Sequence, residues 1–167
     1  MKKTITCTSG STANSDTDYG EIKESKTLIL SPNYPSNYDN NKYCRLKLNL
    51  AGDNKKVTLK FKDFHVETHS SCVWDYVEFR YAGTDTDPYD GTLIEPRKCG
   101  ETNPVTIEAN SNPIYMIFRT DYSVVKQGFV IEFLGKDDIS IYTFSYYLKY
   151  NSQLITLHKF QITYNFR

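Results

Sequence analysis

Five separate stretches of the chain alternate apolar and polar residues with a period of two, and no stretch keeps a helical period over three turns. Leu46, Leu48 and Leu50 alternate with Lys47 and Asn49, and Val57, Leu59 and Phe61 with Thr58, Lys60 and Lys62. Val77, Phe79 and Tyr81 alternate with Glu78 and Arg80, and Phe129, Ile131 and Phe133 with Val130 and Glu132. Ile114, Met116 and Phe118 alternate less cleanly, with Tyr115 and Ile117 between them. Residues two apart on an extended backbone share a face, so each run predicts a half-buried strand. The β-branched and aromatic residues that fill the runs suit a pleated surface. SPNYPSNYDNN, AGDNKK, AGTDTDPYDG and NSNP separate them with turn chemistry. Short strands at this spacing predict an all-β protein, an antiparallel β-sandwich.

A chain of 167 residues that is 39% hydrophobic can bury one real core, with room for a short appendage. Lys plus Arg number 20 and Asp plus Glu number 20, so no net field draws the chain to nucleic acid or an anionic membrane. No apolar run approaches the ~20 residues of a membrane-spanning helix, so membrane insertion is not expected. The opening MKKTITCTSG has the basic start of a secretion signal without the apolar stretch that should follow. Cys7, Cys44, Cys72 and Cys99 form no C-x-x-C pair, which argues against a zinc ribbon or a thioredoxin-like site. Their even number and wide spacing suit two disulfides of roughly 3 kcal/mol each. Three pairings are open, and four buried thiols in a cytosolic domain are the alternative.

Several short motifs together carry a family likeness. Ser31–Pro35 (SPNYP) followed by Cys44, the run Cys72-Val73-Trp74-Asp75-Tyr76-Val77-Glu78, Cys99-Gly100, Phe118-Arg119-Thr120-Asp121, and Gly128-Phe129 stand in order. In order and spacing they resemble a CUB domain through most of residues 27–134. The resemblance implies a jelly-roll-like β-sandwich with Cys7–Cys44 and Cys72–Cys99 disulfides. Cys7 lies further upstream of SPNYP than the family pattern has it, across a polar stretch read as a loop insertion. The chain is accordingly divided into an N-terminal segment, 1–26, a domain core, 27–135, and a C-terminal extension, 136–167. That extension alternates at Tyr142, Phe144, Tyr146, Leu148 and Tyr150 and again from Phe160 to Phe166, which allows a hairpin turning near Asn151-Ser152. A truncated second β-domain and translated non-coding sequence are the other readings of it.

Glu67 stands at the end of one predicted strand, Asp75 at the start of the next, and Asp121 in a later loop. In a sandwich, strand ends from remote parts of the sequence meet at one rim. Three carboxylates gathered there repel unless protonated or joined by a cation. Ca2+ takes six to eight oxygens in flexible geometry. The calcium-binding subset of CUB domains has a Glu, Asp and Asp constellation that this sequence resembles at Glu67, Asp75 and Asp121, with a backbone carbonyl near Ser123 and water completing the shell. Tyr19, followed by Gly20, resembles a Tyr that hydrogen-bonds the acidic cluster in that subset. The competing reading is of ordinary acids beside turns. His65, Glu67 and His69 also alternate, a zinc-like set, although H-E-x-x-H is absent.

No G-x-S-x-G and no Gly-rich phosphate loop occurs, and a non-enzymatic role is expected. The resemblance implies a secreted, extracellular recognition module, often part of a larger protein. Its expected partner is an extracellular protein with an exposed Lys or Arg, bound through Tyr19, Glu67, Asp121 and Ser123. A lectin-like carbohydrate-binding sandwich, suggested by 14 tyrosines, and a small hydrolase using paired carboxylates are the rival classes.

Overall fold

The computed structural model of the protein describes residues 1–9, 20–51 and 56–135, together with the strands at 147–150 and 153–156. Its strands are β1 (Lys2–Thr4), β2 (Thr6–Ser9), β3 (Gly20–Ile22), β4 (Thr27–Leu30), β5 (Lys42–Leu48), β6 (Val57–His65), β7 (Tyr76–Tyr81), β8 (Ile107–Ala109), β9 (Ile114–Arg119), β10 (Gly128–Gly135), β11 (Tyr147–Tyr150) and β12 (Gln153–Thr156). One sheet runs β1-β4-β10-β6-β8 and the other β2-β5-β9-β7, with β3 added beside β5. β1 joins β4, and β3 joins β5, in parallel; the remaining strand pairs are antiparallel. The fold is the all-β sandwich expected, with those two parallel additions at its start.

Each of the five alternations between residues 46 and 133 lies in or against a strand and turns its apolar residues inward, with Tyr81 at the end of β7 only half-buried. Leu59, Phe129, Ile131 and Phe133 from the first sheet meet Leu46, Val77, Phe79, Met116 and Phe118 from the second in one buried core. Aromatic rings cross the gap edge to face, Phe61 on Phe79 and Phe118 on Phe129, a preferred geometry. The untidy alternation of β9 has a physical cause. Tyr115 and Ile117 face outward but are buried beneath Tyr89, because the AGTDTDPYDG segment folds back over the outside of the sheet. That segment is a cover as well as a turn.

Two of the motifs are joined physically. Ser31 of SPNYP donates its backbone N–H to the Phe129 carbonyl, and its Oγ accepts the Phe129 N–H at 3.0 Å. Gly128 makes room for this at φ +92°, where a Cβ would stand 1.9 Å from Ser31 Oγ. Cys72 and Cys99 form a disulfide. It closes beside the Val66–Gly100 bridge, where Gly100 takes φ +97°. Cys7 on β2 stands opposite Cys44 on β5; the sulfur of Cys7, and with it the expected second disulfide, lies outside the described residues. In the extension, β11 and β12 pair with Tyr150 opposite Gln153. The second aromatic run, Phe160 to Phe166, lies outside the described residues.

Candidate metal centre

β6 ends at His65, and Val66 and Glu67 continue its path to the rim; Asp75 immediately precedes β7, and Asp121 follows β9 by two residues. Because β7 pairs with β9 through Tyr76↔Arg119, the residues just before one and just after the other are brought together. One carboxylate oxygen from each of Glu67, Asp75 and Asp121 lies within 4.8 Å of the others. The three acids predicted from remote parts of the chain thus converge, and they could hold a metal ion. Two oxygens bound to one Ca2+ at about 2.3–2.6 Å can be at most about 5 Å apart, so the spacing fits.

The surroundings hold two of the acids in place and leave the third open. Asp75 is fully buried; its Oδ1 accepts the Asp121 N–H at 2.7 Å and its Oδ2 accepts the Tyr38 hydroxyl at 2.6 Å. Asp121 Oδ1 accepts the Ser123 N–H at 2.8 Å and lies 3.4 Å from Ser123 Oγ, so Ser123 shapes the loop through Asp121. Glu67 is only 6% exposed, and its Oε2 is buried with no hydrogen-bond partner among the described residues. A buried, unsatisfied carboxylate oxygen is costly. An oxygen-only donor set with one orphaned member suits a hard cation such as Ca2+ better than the nitrogen and sulfur ligands zinc favours.

Electrostatics agree with the geometry. Burial, then the Asp75 and Asp121 charges, push the Glu67 carboxyl above the usual carboxylate range. Burial also pushes Asp75 up, against the bonds from Tyr38 and Asp121 that favour its ionised form. Burial, with the bond to Asp75, raises the Tyr38 hydroxyl far above its ordinary value, so it remains a proton donor.

Tyr38 is the site residue that sequence reasoning missed. Its ring stands edge-on to Phe118, its hydroxyl donates to Asp75, and the same oxygen accepts the Glu67 N–H at 3.1 Å. The signal available was an aromatic in the turn-rich SPNYPSNYDNN, seven residues past Ser31. Tyr19, which resembles the family's Tyr in that role, lies outside the described residues. The zinc-like alternation does not assemble. His65 Nε2 faces Asp63 at 3.1 Å, while His69 Nδ1 accepts the Ser71 N–H and its ring packs on Trp74.

Residues 18–133 match the family described as the CUB domain. Cubilin of Canis lupus familiaris is 40% identical over 114 residues, which are 68% of this chain and 3% of cubilin. The chain therefore spans a small fraction of that relative's length. The structure of the MASP-1 CUB2 domain bound to Ca2+ is 29% identical and superposes with a TM-score of 0.58, covering 69% of this chain and 96% of that one. The full extracellular region of zebrafish Gpr126/Adgrg6 is 27% identical with a TM-score of 0.56, covering 69% of this chain and 14% of that one.

Proposed function

Because the chain belongs to the CUB domain family, we propose that it is a non-catalytic, extracellular binding module whose rim is organised by Ca2+ and recognises a basic residue of a protein partner. The observation that carries this reading is the convergence of Glu67, Asp75 and Asp121, with one Glu67 oxygen buried and without a hydrogen-bond partner among the described residues. The Ca2+ bound by the similar MASP-1 CUB2 domain supports it, and the Cys72–Cys99 disulfide suits an oxidising compartment. Glu67, Asp75 and Asp121 supply the carboxylates, with the loop at Ser123 completing the shell. When bound, Ca2+ neutralises most of the acidic charge and fixes the three rim segments relative to one another.

Three carboxylates around a +2 ion leave a residual charge of about −1. A partner Lys or Arg can then make charge-assisted hydrogen bonds to Glu67 or Asp121. Tyr122 and Val124 beside Asp121, and Val73 and Trp74 beside Asp75, are exposed and give the rim apolar area for the same partner. Calcium calorimetry on the oxidised chain tests the reading: the unaltered protein should bind one Ca2+, and Asp121→Ala should lower the affinity at least about tenfold. Equal heats for the two proteins would remove the site.

A further inference from the structure

A lysine lies beside the orphaned acid and does not pair with it. β10 and β6 pair in antiparallel register as far as Gly128↔His65, and just beyond that end Lys126 lies near enough for its charge to act on Glu67. The same rim is tied there by the Tyr38 N–H, which donates to the Lys126 carbonyl, while the Tyr38 hydroxyl accepts the Glu67 N–H. On the other side of β6, the Val66–Gly100 bridge brings Glu101 alongside. The Lys126 ammonium forms its ion pair with Glu101, a half-exposed acid, and Glu67 Oε2 has no hydrogen-bond partner among the described residues. A buried charge left uncompensated is costly while an exposed pair contributes little, so Glu67 has more to gain from a cation than Glu101 has.

Resting on the calcium reading, we propose that Glu101 is a positioning residue that keeps the Lys126 ammonium off Glu67 and so leaves that carboxylate open to a divalent cation. The lysine's charge still reaches Glu67, where it opposes the upward push of burial and the two aspartates. Without Glu101, Lys126, whose charge already acts on Glu67, can turn to it and becomes an intramolecular competitor of Ca2+.

Calcium titration calorimetry and metal-free melting on the full oxidised chain test this with Glu101→Gln, Lys126→Met and the double variant. Glu101→Gln should weaken Ca2+ binding about tenfold, the scale of coupling between contacting charges, and the same change made in the Lys126→Met background should have little effect. Glu101→Gln should also raise the melting temperature of the metal-free protein, because Lys126 then satisfies Glu67; loss of a merely structural ion pair would lower it. Equal weakening with and without Lys126, or no weakening, overturns the proposal while calcium binding stands. No calcium binding by the unaltered chain overturns the calcium reading and this one together.

Discussion

At Asp75, burial and hydrogen bonding act in opposite directions, and Tyr38 is where they meet. Its hydroxyl serves two rim segments at once, as donor to Asp75 and acceptor for the Glu67 N–H. Tyr38→Phe strands both groups in a buried setting and should cost about 1–3 kcal/mol, read by urea denaturation. The raised carboxyls of Glu67 and Asp75 set a pH dependence whose sign follows from linkage. A folded-state pKa above the unfolded one means that the native protein holds the extra protons. Stability without metal should therefore be full below the ordinary carboxylate range and fall as pH rises through the raised values. Glu21 and Glu101, whose carboxyls are lowered, act in the opposite sense and only below that range. Excess Ca2+ should flatten the fall; melting curves across pH with and without the ion check it. The three acids were legible in the sequence because their positions fall on motifs. Tyr38 was not, because a hydrogen bond from Tyr38 to Asp75 is fixed by how the SPNYPSNY loop packs on β9, and no local pattern encodes that.

Among the elements, β10 ties the sandwich together. It lies between β4 and β6, and its first residues bind the SPNYP turn. Gly128→Ala would drive a methyl group into Ser31 and force a positive φ on a residue with a Cβ. It should destabilise by at least about 2 kcal/mol, with thermal or urea unfolding as the measure. The strands themselves were legible wherever one face is wet, since period-two alternation survives there. β9 obscured it, because both of its faces are covered. Its outer cover depends on Tyr89, whose burial on Tyr115 joins residues far apart in sequence. Arg45 belongs to the same outer layer, its guanidinium over the rings of Tyr43 and Tyr89. Composition marked 82–91 as a turn, and only tertiary packing makes it a lid over the sheet.

For the whole molecule, the decisive fact is that Glu67 and Asp75, from the two sides of one turn, and Asp121, 46 residues beyond Asp75, reach one edge. The pairing of β7 with β9 brings Asp75 and Asp121 together, and the Tyr38 hydroxyl ties Asp75 to the Glu67 backbone, so the site is held by the sandwich although each acid stands just beyond a strand end. Preorganisation of this kind leaves little backbone entropy to be lost when an ion arrives. A crystal structure of the oxidised protein grown with CaCl2, with the ion located by anomalous scattering, tests the central claim most directly. The account predicts one ion coordinated by oxygens of Glu67, Asp75 and Asp121 at about 2.3–2.6 Å. A rim without an ion at saturating calcium, or an ion bound away from these three carboxylates, would contradict it.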